Sequence, residues 1–187
     1  MILTERGRNM KTKHASGLLR ARNYLPWVFY VAAVLMVALM QISPRFFPTV
    51  SFAHPVPLVV FTVCVAVLEG PTMGAVIGVI AGLLWDMHSL RIFGYYGLML
   101  LLIGLAVGLL VQWLLRANFL SAMLLSVSGV LVYTIMDWLI CYVLFLRDEM
   151  SVVLIKVYLP NAVYTIVLAP IVYWCVLLMA RFLRRKK

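Results

Sequence analysis

Charged residues are scarce in this chain, and acidic residues are the scarcest: 6 Asp and Glu stand against 16 Lys and Arg among 187 residues. Only 12% of the residues are charged and 65% are hydrophobic, whereas soluble domains have about 25% charged and about 45–50% apolar residues. The composition therefore excludes a sizeable soluble domain. The mean hydropathy of +1.07 also excludes a disordered chain, because disorder requires low hydrophobicity.

The sequence also lacks the residue groupings that carry enzyme chemistry. Its three cysteines lie in apolar runs, with no CxxC motif and no Cys/His cluster at metal-ligand spacing. No nucleophile lies beside a base, and the glycines do not form a GxGxxG phosphate-binding loop. The sequence therefore predicts a protein that is not an enzyme and has no catalytic residue, no metal ligand and no cofactor.

Long apolar runs fill most of the chain. One membrane span needs about 20 residues, and the runs predict an all-α polytopic membrane protein with about six helices in one bundle. The predicted spans are 24–42, 50–68, 72–90, 95–115, 119–146 and 157–183. Proline interrupts the second span at Pro55 and Pro57, so a re-entrant or broken helix is an alternative there. The domain prediction is a transmembrane unit at 24–183 between basic tails at 1–23 and 184–187.

Basic residues concentrate at the two ends of the chain, 1–25 and 181–187, which hold eleven of the sixteen. Positively charged segments stay on the cytoplasmic side, so both termini are predicted to be cytoplasmic. We expect the tails to contact anionic lipid headgroups. Nucleic-acid binding is not predicted, because the basic segments have no folded reader and no interleaved aromatic residues.

Glycine recurs at every fourth position at the start of the third predicted span. The row is Gly70, Gly74, Gly78 and Gly82, with Asp86 next in the series. Glycines at this spacing share one side of a helix, and small residues let membrane helices approach closely. The fourth span carries a second groove at Gly97, Gly104 and Gly108. We predict a tight hairpin of the third and fourth helices, although a partner's helix is an alternative occupant.

Polar residues inside the spans form a second set of candidates. Asp86, Asp137 and Asn161 lie at similar depth in the predicted topology, which predicts a polar cluster within reach of Arg91 or Lys156. Charged residues inside spans are costly and are usually functional or paired, so we expect the cluster to have a role. Three roles are open: it stabilises the helix packing, it binds a partner protein, or it binds a small molecule or ion. Glu69 precedes the third helix, where an acid complements the positive helix end or contacts a cytoplasmic partner.

A family resemblance rests on one part of the chain, roughly residues 57–110. Leu68-Glu69-Gly70-Pro71, the glycine row ending in Trp85-Asp86, and Gly94-Tyr95-Tyr96-Gly97 resemble the core of the bacterial rod shape-determining protein MreD family. Gly74, Gly78, Gly82 and Asp86 match that family's characteristic helix, whereas Asp137 and Asn161 are not part of the resemblance. The family's fold is thought to be similar to small solute-binding transporter subunits.

The resemblance implies a multi-pass protein of the bacterial cytoplasmic membrane that belongs to the cell-wall elongation machinery. Its implied partners are an MreC-like single-span protein and, through it, MreB-like filaments and a RodA-type glycosyltransferase with its transpeptidase. The alternative is a substrate-binding subunit of an energy-coupling vitamin or ion transporter. Ala32, Ala33 and Ala38 lack the AxxxA spacing of the docking patch common in such subunits.

Overall fold

The computed structural model describes residues 27–41, 55–89, 93–114, 118–145 and 154–185. These residues form six α-helices and no β-strand. The helices are α1 (Trp27–Gln41), α2 (Pro57–Glu69), α3 (Pro71–Asp86), α4 (Tyr95–Trp113), α5 (Phe119–Phe145) and α6 (Leu159–Arg185). A π-helical turn, Leu154–Tyr158, precedes α6. The predicted tail 1–23 and residues 186–187 lie outside the described residues.

The all-α prediction is confirmed for the described residues, and three stretches are long and apolar enough to cross a membrane. These are Tyr95–Trp113, Phe119–Ile140 and Leu154–Leu183, whereas α1, α2 and α3 are shorter apolar helices. The count of six spans and the cytoplasmic position of both termini stay predictions.

The second predicted span is corrected at its start. Helix α2 begins at Pro57, so Pro55 and Val56 are not helical. Proline suits the first helical position because it has no N–H to leave unpaired, and a proline disfavours helical geometry in the residue before it. The third helix is also shorter than predicted, because α3 ends at Asp86 and a turn follows.

Helix α2 occupies the centre of the bundle. All residues from Pro57 to Val67 are buried, and the helix contacts α3, α4, α5 and α6. Because a helix rises 1.5 Å per residue, its 13 residues span about 20 Å. The hydrocarbon core of a bilayer is about 30 Å thick. The central helix is therefore too short to fill the bundle from end to end.

Helix α1 runs antiparallel to α2. Near its start, the Tyr30 hydroxyl donates to Glu69 Oε1 at 3.1 Å, and at its end Gln41 Oε1 accepts from the Leu58 N–H at 3.3 Å. Tyr30, Val34 and Ala38, spaced four apart, are the buried face of α1. These contacts define two ends of the bundle. We call them the Glu69 end and, at the opposite side, the Asp86 end, where α2 begins.

Candidate functional site

The glycine row of α3 lies directly against neighbouring backbone. A Cβ added at Gly78 would overlap the carbonyl oxygen of Leu100 on α4, and one added at Gly82 would overlap the backbone of Tyr96 and Gly97. At Gly74 the added atom would overlap Ala66 on α2. The positions without side chains therefore bring α3 into close contact with both α2 and α4.

The glycines of α4 complete the same arrangement from the other side. A Cβ at Gly104 would overlap the carbonyl oxygen of Gly74, and one at Gly108 would overlap Pro71. The Thr62 methyl group of α2 would lie 3.1 Å from an added Cβ at either Gly78 or Gly104. We call this contact region of α2, α3 and α4 the packed core.

Two glycines of the predicted set differ from the rest. Gly70 has a φ of 96° at the turn between α2 and α3, and no atom lies within 4 Å of an added Cβ. Its requirement for glycine is therefore conformational, because side chains disfavour positive φ. At Gly97 an added Cβ would meet the flexible Leu83 side chain at 3.3 Å, so this position is less restrictive than Gly78.

Asp86 caps the start of α4 from the end of α3. Its Oδ2 accepts the N–H groups of Gly94 and Gly97, and its Oδ1 accepts the N–H of Tyr96, each at 3.1 Å. The first N–H groups of a helix have no partner within the helix. Gly94, at the N-cap position, has no side chain that could accept their hydrogen bonds. Asp86 is 3% exposed, and its carboxylate complements the positive end of the α4 dipole.

Tyr96 connects Asp86 to Asp137. Its backbone N–H donates to Asp86, and its hydroxyl donates to Asp137 Oδ1 on α5 at 3.0 Å. Its ring contacts Trp85 and Tyr133, with centroids 6.1 Å apart in both pairs. The structure therefore brings both aspartates to the Asp86 end and links them through one tyrosine.

A cavity of about 290 Å³ lies beside this link, between α5, α6 and the start of α2. Asp137 of α5 and Asn161 of α6 both line it, so two of the three predicted polar residues meet at the same cavity. Thr165 lines it as well; its hydroxyl accepts from the Val56 N–H at 3.0 Å and donates to the Asn161 carbonyl oxygen at 2.7 Å. The aromatic lining is Trp85, Tyr96, Tyr133 and Tyr158.

The other predicted polar residues lie apart from the cavity. Glu69 is at the opposite end, where it accepts the Tyr30 hydrogen bond. The Lys156 side chain is exposed and does not line the cavity, and Arg91 lies outside the described residues. In the described part of the chain, no three His, Cys, Asp or Glu side chains lie close enough to hold a metal ion.

Sequence reasoning missed three residues that make contacts between helices: Tyr96 and Thr62 near the Asp86 hairpin and packed core, and Tyr30 at the Glu69 end. Tyr96 enters the sequence analysis only as part of the Gly94-Tyr95-Tyr96-Gly97 motif, and Thr62 and Tyr30 are not singled out. A signal for Tyr96 was present, because a hairpin that joins Asp86 to Gly94 places the next residues beside the carboxylate. No pattern in the sequence indicates the Tyr30–Glu69 bond, which joins residues 39 positions apart.

The apolar helices, buried acids and close glycine packing define a helical membrane protein. The family model for the rod shape-determining protein MreD matches residues 21–184, nearly the whole chain. The chain therefore belongs to the MreD family, as its glycine row and Asp86 indicated. No curated protein and no solved structure matches it.

Proposed function

We propose that this chain is a non-enzymatic subunit of the bacterial cell-wall elongation complex, located in the cytoplasmic membrane, where it holds partner proteins. The family match over residues 21–184 carries the proposal. The proposed partners are an MreC-like single-span protein and, through it, MreB-like filaments and a RodA-type glycosyltransferase with its transpeptidase.

The glycine-rich packing supports this scaffold role indirectly. Because α2 and α4 occupy the glycine face of α3, a partner helix has no access to those positions. We propose that the packed core holds α4 in a fixed orientation, and that partners contact its outward face. Asp86 and Glu69 contribute by fixing the ends of the hairpin and of α1, respectively.

A groove between α4 and α5 is the proposed contact for a partner's single helix. It has a volume of about 360 Å³, and small residues line it at Ala106, Ser128 and Gly129. Ala106 and Ser128 are exposed. Small residues let a second helix approach closely within a bilayer, where apolar surface alone gives little drive to associate.

The test is complementation of a rod-shaped bacterium depleted of its own MreD family protein. We expect the wild-type chain to restore rod shape and to co-purify with elongation proteins in a detergent pull-down read by mass spectrometry. Ala106→Trp should fill the groove, weaken that co-purification and round the cells. Leu139→Trp, an exposed position elsewhere on α5, is the matched control. Recovery of a transporter ATPase module instead of elongation proteins would overturn the proposal.

A further inference from the structure

The cavity at the Asp86 end combines a buried carboxylate with aromatic walls. Asp137 lines it and is 4% exposed. Trp85, Tyr96 and Tyr133 line it too, and their rings contact one another in sequence. Aromatic faces attract cations within about 6 Å of the ring centroid, most strongly where water is excluded. A carboxylate that accepts hydrogen bonds, together with such rings, is the combination that recognises an ammonium group.

Among the described residues, the cavity lining has one acidic side chain, Asp137, and no basic one, which favours a cation over an anion. N–H groups at two nearby helix starts already have acceptors: Asp86 accepts those of α4, and Thr165 and Gln41 accept those of Val56 and Leu58 at the start of α2. Lys156, on the π-helical turn, is exposed and outside the lining. Asp137 already accepts the Tyr96 hydrogen bond, and a cation in the cavity would add a charge-compensating partner for this acid inside a membrane helix.

The size of the cavity favours an organic group over a metal ion. Water occupies about 30 Å³ per molecule in the liquid, so a cavity of about 290 Å³ accommodates a group of several heavy atoms.

We propose that this cavity binds a small organic ammonium group, with Asp137 as its counter-ion and the rings of Trp85, Tyr96 and Tyr133 as its wall. The ammonium is either a free amine or the headgroup of an ethanolamine lipid, which share this chemistry. The site lies on a different surface from the α4–α5 groove and does not depend on partner binding there.

The test uses the full chain in nanodiscs of phosphatidylglycerol, titrated with ethanolamine and followed by thermal unfolding. We expect ethanolamine to raise the melting temperature, and ethylene glycol, the neutral analogue of similar size, to leave it unchanged. Asp137→Asn keeps an acceptor for the Tyr96 hydroxyl but removes the charge, so we expect it to weaken ethanolamine binding at least tenfold. Ala162→Leu places a larger side chain on the cavity wall and should weaken binding similarly.

The source of the ammonium is separated by a second arm in phosphatidylethanolamine nanodiscs. If the lipid headgroup is the ligand, native mass spectrometry will find phosphatidylethanolamine retained by the wild-type chain and lost from Asp137→Asn. If a free amine is the ligand, titrated ethanolamine will bind equally in both kinds of nanodisc. The proposal is overturned if neither source binds, if ethylene glycol acts as well as ethanolamine, or if Asp137→Asn binds as tightly as the wild type.

Discussion

The packed core and the cavity are neighbours in one bundle, yet they are built in opposite ways. In the packed core, the absence of side chains at Gly74, Gly78 and Gly104 lets backbones touch. Around the cavity, aromatic and polar side chains line a space of about 290 Å³. The contrast shows that one bundle combines tight packing of α2, α3 and α4 with an open cavity beside α5 and α6.

Helix length explains where that room lies. α2 has 13 residues, whereas α5 and α6 have 27 each, which corresponds to about 20 Å against about 40 Å. The cavity is lined by Val56 and Val59 at the start of α2. It therefore lies where the short central helix begins and the long helices continue past it.

The largest expected effect comes from filling the packed core. Gly78→Leu places a side chain against the backbone of Leu100, which cannot move aside as a flexible side chain would. We expect the free energy of unfolding to fall by more than about 3 kcal/mol, at or beyond the upper range for overpacked cores, and little folded protein to be recovered. Size-exclusion chromatography in detergent measures this yield.

The control for Gly78→Leu is Val76→Leu on the same helix. Val76 is 42% exposed, so a larger apolar residue there should leave the yield unchanged. Equal losses in both variants would mean that α3 is sensitive to any change and that its glycine face has no special role.

The next effect concerns the junction between the two regions. Asp86→Ala removes the acceptor of three N–H groups at the start of α4. We expect a loss of about 2–3 kcal/mol, because a lost helix cap and unsatisfied buried donors both destabilise. Hydrogen exchange of the amides at Gly94, Tyr96 and Gly97 should accelerate. Asp86→Asn retains one acceptor oxygen and should fall between alanine and wild type; identical behaviour of all three proteins would contradict the capping role.

The packed core was accessible to sequence reasoning, whereas the cavity was not. Glycine spacing identifies one face of one helix, and the short link from Asp86 to Gly94 makes α4 the natural neighbour. The spacing does not say that Ala66 and Thr62 of α2 pack on the same face, because that depends on where α2 lies in three dimensions.

The polar residues also show what sequence spacing cannot predict about the arrangement of helices. Depth along the helices placed Asp86, Asp137 and Asn161 at one level of the membrane, but it carries no information on helix rotation. The structure separates their roles: Asp86 faces the backbone of α4, whereas Asp137 and Asn161 line the cavity. Tyr96 joins them because its backbone and its hydroxyl serve different partners, which no spacing pattern encodes.

A smaller effect is expected for Tyr96→Phe, which separates those two contacts. The variant loses the hydroxyl bond to Asp137 but keeps the backbone bond to Asp86. We expect a loss of about 1.5–2 kcal/mol, the lower part of the range for a hydrogen bond to a charged group. Amide exchange at Gly94 and Gly97 should stay slow, unlike in Asp86→Ala. Acceleration of both amides to the level of Asp86→Ala would show that the cap and the cavity wall form one unit.

The smallest effect on stability is expected where space is available, and the same substitution in both regions tests this directly. Ala66 lies against Gly74 in the packed core, whereas Ala162 lines the cavity. We expect Ala162→Leu to change the free energy of unfolding by less than about 1 kcal/mol, because the added carbons enter the cavity. Ala66→Leu should cost about 3 kcal/mol. Thermal unfolding in one detergent compares the pair; equal losses would mean that the cavity does not accept a larger side chain and that the two regions are packed alike.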